Sequence, residues 1–129
     1  MLCLVLTDPY DYERVLSALM QKARERGQPA SVVFYIPTDA LHNFVEELGE
    51  KGWLGSSPVK TLEHSMLEGL KALGQSVLEH AREEADKFQV KLYTKLLLGA
   101  QEDLDAHLRQ RGCDEIVLKH SQWLSSEEA

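Results

Sequence analysis

The first residues that could do chemistry end an apolar run, in the stretch LVLTDPYD at residues 4–11. If that run is a buried strand, Thr7 and Asp8 lie at its carboxyl end, which is where open α/β sheets bind ligands. Asp followed by Pro is also a typical helix start, with Asp8 as N-cap and Pro9 at the first helical position. Asp8 therefore has two compatible interpretations, and we prefer capping to ligand binding.

The five histidines of the chain do not suggest a metal site. None stands in an H-E-x-x-H pattern or in a close Cys/His cluster; they are His42, His64, His80, His107 and His120. The sequence also contains no G-x-S-x-G elbow and no Walker loop. We therefore expect no metal ligands, no catalytic residues and no enzymatic activity.

Composition excludes several classes of partner. The 129 residues suit a single domain, 1–129, with residues 121–129 as a tail. A net charge of −7 argues against nucleic acid and against anionic membranes, since both attract clustered basic residues. We see no signal peptide and no apolar stretch long enough to span a bilayer. The chain is therefore expected to be cytoplasmic, with reduced thiols.

Hydrophobic patterns predict secondary structure in the order β-α-β-α-α-β-α-β. The strands are predicted at residues 2–6, 30–37, 90–99 and 114–120. The helices are predicted at residues 9–26, ending at Gly27; in a short segment capped by Thr38 or Asp39; in a long segment after Pro58; and at residues 100–112. The glycine- and serine-rich residues 49–57 are predicted to be a loop.

This alternation predicts a three-layer α/β sandwich, with a mostly parallel sheet and helices on both faces. The long helix carries a narrow apolar row that suits covering a sheet: Leu62, Met66, Leu70, Leu73, Val77, Ala81, Ala85 and Phe88. Gly69 and Gly74 interrupt this helix. They either permit close helix packing or are tolerated on its surface.

With these elements in place, the chain resembles the universal stress protein family of small adenine-nucleotide-binding α/β proteins. Four segments carry the resemblance, in the family's order and spacing: LVLTDPY, FYIP, LLLGAQED and GCDEIVLKH. Together they span nearly the whole chain, residues 2 to about 121. The resemblance implies the family's fold, also called adenine nucleotide alpha hydrolase-like, with strand order 3-2-1-4 and the fifth strand missing.

The resemblance also implies a site at the carboxyl ends of the strands. Its candidate residues are Thr7, Asp8, Ile36, Gly99, His120 and Ser121. Each has a structural alternative: Ile36 as a core residue, Gly99 as a turn glycine with positive φ, and His120 and Ser121 as loop residues. Family members follow the fourth strand with a glycine-rich loop that cradles phosphates, whereas Gly112 is the last glycine here. We therefore expect no cofactor, with an adenine nucleotide as the alternative.

The implied strand order has two further consequences. Strands 1 and 4 are parallel neighbours, so this order allows Cys3 and Cys113 to lie near each other without requiring it, and we prefer two small buried thiols to a disulfide. The fourth strand becomes an apolar sheet edge, a liability unless something covers it. The tail around Trp123 and Leu124 or another chain would do so, and we predict a homodimer through this edge or through the long helix.

Three functions follow as hypotheses. We favour a stress-response or signalling protein that acts through protein contacts, with an unknown protein partner, and binds no ATP. The alternative is an adenine-nucleotide or small-anion sensor that uses the carboxyl ends of strands 1, 2 and 4. Nucleotide hydrolysis ranks third, because no base, metal ligand or phosphate cradle is evident.

Overall fold

The protein is described by a computed structural model, which covers residues 1–50 and 59–119. Within these ranges the strands are β1 (Leu2–Leu6), β2 (Ala30–Pro37), β3 (Leu92–Gly99) and β4 (Glu115–Lys119). They form one parallel sheet in the order β3-β2-β1-β4, as predicted. The helices are α1 (Glu13–Arg26), α2 (Thr38–Glu50), α3 (Val59–Phe88) and α4 (Gln101–Arg111).

Helices cover both faces of the sheet, which confirms the three-layer architecture. Because side chains alternate along a strand, β1 sends Leu2, Leu4 and Leu6 to one face and Cys3 and Val5 to the other. The first face packs against α1 and α3, and the second packs against α4 through Leu104 and Leu108. Burial on both faces explains why β1 and β2 read as continuous apolar runs.

Helix α1 begins four residues later than predicted, so Asp8 is not its N-cap. Asp8 Oδ1 instead accepts a hydrogen bond of 2.9 Å from the backbone N–H of Tyr10, which closes a turn. Asp11 then adopts a left-handed conformation, φ 53°, that no helix interior accommodates. Tyr12 therefore occupies the N-cap position, and α1 starts at Glu13. The predicted end is confirmed, because Gly27 is left-handed and donates to the carbonyls of Ala23 and Arg24.

Two other boundaries also move. Gln89 takes the left-handed position that glycine usually fills after a helix, and Val90 N–H donates to the Ala85 carbonyl, so β3 starts at Leu92 rather than at Val90. Helix α2 begins at Thr38 itself and runs to Glu50, through the first two residues of the predicted loop. The rest of that loop, residues 51–57, lies outside the described residues.

The structure confirms most of the predicted apolar row of α3, with Leu78 taking the buried place predicted for Leu73. Val77, Ala81 and Ala85 are buried against the sheet, whereas Leu73 is 40% exposed and Leu78 is buried instead. In the described part of the chain, no helix is long and apolar enough to cross a membrane.

The two glycines of α3 occupy different environments. A Cβ atom on Gly74 would lie 2.6 Å from Phe34 Cδ1 and 2.9 Å from Leu96 Cδ1, so a side chain there has no room. Gly74 thus brings α3 close to β2 and β3, the close-packing role anticipated from the sequence, although its neighbour is the sheet. A Cβ on Gly69 would meet nothing within 4 Å.

Candidate functional site

The carboxyl ends of the strands meet at one edge of the sheet, which we call the carboxyl edge. Strand β1 continues into Thr7, which is buried with 3% exposed, and into the half-buried Asp8. The chain leaves β1 for β2 on one side and returns to β4 on the other, so the switch in strand order lies between β1 and β4. Thr7 and Asp8 are therefore beside the position where such folds bind ligands.

Ile36 lies at the carboxyl edge as a core residue. It is 1% exposed and belongs to the apolar cluster on the α1 and α3 face, which agrees with its structural interpretation.

Gly99 ends β3, two strands away from β1, and its geometry serves the turn into α4. Its φ of 148° is accessible mainly to glycine, which confirms the positive φ expected there. Tyr35 Oη donates to the Gly99 carbonyl at 3.0 Å, and Asp103 Oδ2 accepts from Ala100 N–H at 3.0 Å. Burial raises the pKa of Tyr35 to about 12, so this donor keeps its proton.

The carboxyl edge thus places Thr7 and Asp8 together beside the switch point, with Ile36 and Gly99 farther along the sheet. The two remaining candidates, His120 and Ser121, lie outside the described residues. Over residues 1–50 and 59–119, no three His, Cys, Asp or Glu side chains are grouped so that they could hold a metal ion.

A second feature lies on β4, which is the last strand of the sheet order. Its register with β1 pairs Ile116 with Cys3 and Leu118 with Val5, so both side chains point to the α4 face. Helix α4 buries Cys3 and Val5 but leaves β4 uncovered, with Ile116 45% and Leu118 52% exposed. The outer side of β4, residues Glu115–Lys119, is hereafter called the β4 edge.

A cavity flanks β4 on each face of the sheet. The cavity between α1 and β4 measures about 150 Å³ and is lined by Leu2, Val15, Ala18, Leu19, Lys22, Glu115 and Val117. The cavity between α4 and β4 measures about 400 Å³ and is lined by Asp105, Leu108, Arg109, Gly112, Cys113 and Ile116. Both lie beside the amino-terminal half of β4, away from the carboxyl edge. The sequence indicated an apolar edge but gave no sign of these cavities, because they depend on how α1 and α4 cross the sheet.

Solved structures share this architecture. A universal stress protein family structure from Burkholderia pseudomallei matches with a TM-score of 0.63 and 15% identity, over 97% of this chain and 85% of that chain. The chain has the universal stress protein fold. The structure of hypothetical protein MJ0577 matches with a TM-score of 0.54 and 11% identity, over 90% of this chain and 72% of that chain. No family model and no curated protein matches the sequence.

Within this universal stress protein fold, the two outer strands differ in chemistry. Strand β3 carries exposed Lys95, and its Tyr93 ring lies under two cations, Lys91 Nζ at 5.4 Å and Arg111 Cζ at 5.0 Å from the ring centroid. Charged residues on an edge strand discourage pairing with another chain. Among the described residues, the β4 edge instead presents two exposed apolar side chains, Ile116 and Leu118. The tail around Trp123 and Leu124, the alternative cover for this edge, lies outside the described residues.

The amino end of β4 is held by ion pairs. The Met1 ammonium lies 2.6 Å from Asp114 Oδ2, while Lys22 Nζ and Arg26 Nη1 of α1 reach the Glu115 carboxylate at 2.5 and 3.1 Å. Hydrogen bonds from the Met1 ammonium and from Lys22 lower the pKa values of Asp114 and Glu115 below their ordinary ranges. The strand is therefore anchored where it leaves α4.

A disulfide bond between Cys3 and Cys113 adds a covalent anchor at the same place. The Cα atoms are 5.8 Å apart, Cys3 is fully buried, and Cys113 is partly exposed. The two cysteines are neighbours, which the sequence had left open, and the preference for two free thiols was wrong, because the pairing of β1 with β4 brings both residues within bonding distance.

Proposed function

We propose that this protein is a non-catalytic, cytoplasmic interaction protein of stress response or signalling, and that it works as a homodimer joined through the β4 edge. One observation carries the proposal: two large apolar side chains, Ile116 and Leu118, stand half exposed on an outer strand. Exposed apolar edge strands pair with other chains unless they are protected. The acidic charge of the chain gives no support for nucleic acid or membrane as a partner.

The residue pattern of β4 favours a second copy of the chain as the occupant. A two-fold axis through Val117 would pair two β4 strands antiparallel, with Ile116 opposite Leu118 in both directions. Paired residues of antiparallel strands share a face, so four apolar side chains would meet on the α4 face. The edge is thus complementary to itself in the positions of its exposed apolar side chains.

The long helix is a weaker candidate for the dimer contact. Over the described part of α3, Leu73 is the one large apolar side chain that is markedly exposed, at 40%. A lone exposed apolar residue is ordinary on a protein surface. The β4 edge therefore fits the proposed dimer better.

Sedimentation equilibrium tests this proposal. The wild-type protein should have the mass of a dimer at micromolar concentration, and Leu118→Lys should weaken the dimer. Removing two half-buried leucines per dimer should cost about 2 kcal/mol, or about thirtyfold in Kd. Leu73→Lys is the matched control and should leave the dimer intact. A wild-type monomer, or a dimer broken only by Leu73→Lys, contradicts the proposal.

A second candidate function is sensing of an adenine nucleotide or small anion at the carboxyl edge. It is favoured by the half-buried carboxylate of Asp8, which lies beside the switch point. A ligand that binds the native state raises the melting temperature by mass action, so thermal shifts with ATP, ADP and AMP test it. Asp8→Asn removes the charge but keeps a side-chain oxygen, Oδ1, that can accept the hydrogen bond from Tyr10 N–H. Unchanged ligand affinity in this variant would exclude Asp8 from binding.

The absence of catalysis is part of the proposal. Release of phosphate from ATP at a rate above that of a buffer control would contradict it. The same assay on Asp8→Asn would then show whether the carboxyl edge carries the reaction.

A further inference from the structure

We propose that the Cys3–Cys113 disulfide is a redox switch that controls association at the β4 edge: the oxidised protein pairs through β4, and reduction weakens that pairing. The inference rests on the proposed dimer, since it assigns regulation to the same surface. The disulfide, the apolar edge and the larger cavity meet at one end of β4.

The position of the disulfide connects it to the edge. Cys113 follows the left-handed Gly112 that ends α4 and stands two residues before β4 begins. Its partner Cys3 lies inside β1, which provides the backbone pairing of β4 within the described sheet. The bond therefore fixes the entry of β4 against β1 and helps to present Ile116 and Leu118 in an extended strand.

Reduction would remove this covalent anchor and leave weaker ones. The remaining contacts at the entry are a backbone hydrogen bond of 2.9 Å from Asp114 N–H to the Met1 carbonyl and exposed ion pairs, of Asp114 with the Met1 ammonium and of Glu115 with Lys22 and Arg26. Exposed ion pairs contribute little and are screened by salt. A strand that must be ordered before it pairs binds with a lower apparent affinity, so the dimer should weaken.

The cavity beside α4 gives a reductant access to one sulfur. Cys113 lines this cavity together with Arg109 and Ile116, whereas Cys3 is fully buried. A thiolate of an external dithiol attacks Cys113 Sγ, which forms a mixed disulfide and releases Cys3 as a thiolate that takes a proton from solvent. The second thiol of the reagent then attacks the reagent sulfur, which frees Cys113 and leaves the reagent as a cyclic disulfide. The reverse exchange with that disulfide re-forms the bond between Cys3 and Cys113.

The same cavity connects the proposed contact to the disulfide. Ile116 belongs to the proposed contact and lines the cavity together with Cys113, so a second copy paired with β4 would cover part of that cavity. By linkage, if oxidation strengthens the dimer, dimerisation shifts the equilibrium between disulfide and dithiol towards the disulfide by the same factor. A slower reduction of the dimer is a separate expectation, which follows from the covered cavity. Such a device suits the cytoplasm, where the disulfides that form are usually redox-sensing.

Sedimentation equilibrium of the full chain, with and without dithiothreitol, tests the switch. Thiol titration reports the redox state, and far-UV circular dichroism reports the fold. We expect the Kd of the dimer to rise about tenfold or more on reduction, within the usual range of coupling between sites. The double variant Cys3→Ser, Cys113→Ser should show the weaker affinity under both conditions.

A kinetic measurement keeps the proposal testable if the serine variant does not fold. The rate at which dithiothreitol reduces the wild-type disulfide should fall as protein concentration rises through the Kd. In Leu118→Lys the rate should stay constant over the same concentration range, because the Kd of this variant is about thirtyfold higher.

The outcomes separate the two claims. Equal dimer affinity in both redox states, with a reduction rate independent of concentration, overturns the switch and leaves the proposed dimer standing. Loss of the folded far-UV signal on reduction also overturns the switch, because the disulfide is then a structural cross-link. A monomer under oxidising conditions overturns the proposed function itself.

Discussion

At the scale of single residues, Gly74 and Gly69 should respond in opposite ways to the same substitution. Gly74→Ala places a methyl group against Phe34 and Leu96, and overpacking of this kind costs about 1–3 kcal/mol, which exceeds the helix-propensity gain of about 1 kcal/mol over most of that range. Gly69→Ala meets open space and should gain about 1 kcal/mol. Urea unfolding of both variants checks this. Equal stability changes would contradict the close approach of α3 to the sheet.

His42 should make stability depend on pH. Its Nδ1 lies 2.7 Å from Glu63 of α3 and its Nε2 3.0 Å from Glu46, and the hydrogen bond with Glu63 is the main cause that raises the pKa of His42. A raised pKa gives stability that is fully present below the ordinary value of 6.5 and is lost as pH rises through the folded-state pKa.

Urea unfolding across that pH range measures the effect. The stability difference between wild type and His42→Gln should therefore shrink as pH rises above 6.5. His64→Gln, which changes an exposed histidine of α3, is the control. A difference that stays constant with pH would show that the imidazolium of His42 does not clamp α2 to α3.

Some residue roles could be predicted from the sequence and others could not. The buried place of Ile36 and the positive φ of Gly99 follow from apolar runs and turn chemistry. Asp8 was wrongly predicted to be a cap because α1 starts only after Asp11, which is left-handed. A glycine would have indicated a left-handed residue at that position, whereas an aspartate indicates it only weakly. The unlike surroundings of Gly69 and Gly74 depend on residues far away in sequence, such as Phe34.

At the scale of elements, the tether between β1 and the entry of β4 should contribute much of the stability. The disulfide joins residues 110 apart, and in the chain-entropy description a loop of that size contributes about 4–5 kcal/mol. Cys3→Ser with Cys113→Ser should lose stability of that order, measured by urea unfolding without reductant. The wild type with reductant is the matched comparison. A loss below about 1 kcal/mol in the serine variant and in the reduced wild type would contradict this, because the unfolded chain would then gain little conformational entropy when the disulfide is absent.

The elements themselves were well predicted, because each carries a local pattern. Strands β1 and β2 have the predicted bounds, since burial on both faces demands an unbroken apolar run. The observed boundaries differ from the predicted ones where a residue adopts a conformation that its type does not favour. Gln89, for example, is left-handed in the turn before β3. The cavities beside β4 depend on helix placement, and no local pattern encodes that.

At the scale of the whole molecule, the sheet has two unlike edges. Cations near Tyr93 and the exposed Lys95 protect β3, while β4 presents Ile116 and Leu118 and is anchored at its entry by a disulfide and ion pairs. In the proposed dimer, this asymmetry accounts for association through β4 rather than β3.

Amide hydrogen exchange of β4, measured by mass spectrometry at protein concentrations below and above the dimer Kd, tests the central claim most directly. In an isolated edge strand, the N–H groups that point away from β1 exchange with water, and pairing with a second β4 would protect them. We predict that residues 115–119 of the oxidised protein become protected as concentration rises, while Leu118→Lys shows no such change. Exchange in β4 that is independent of concentration, in a protein whose mass is that of a dimer, would contradict pairing through this edge.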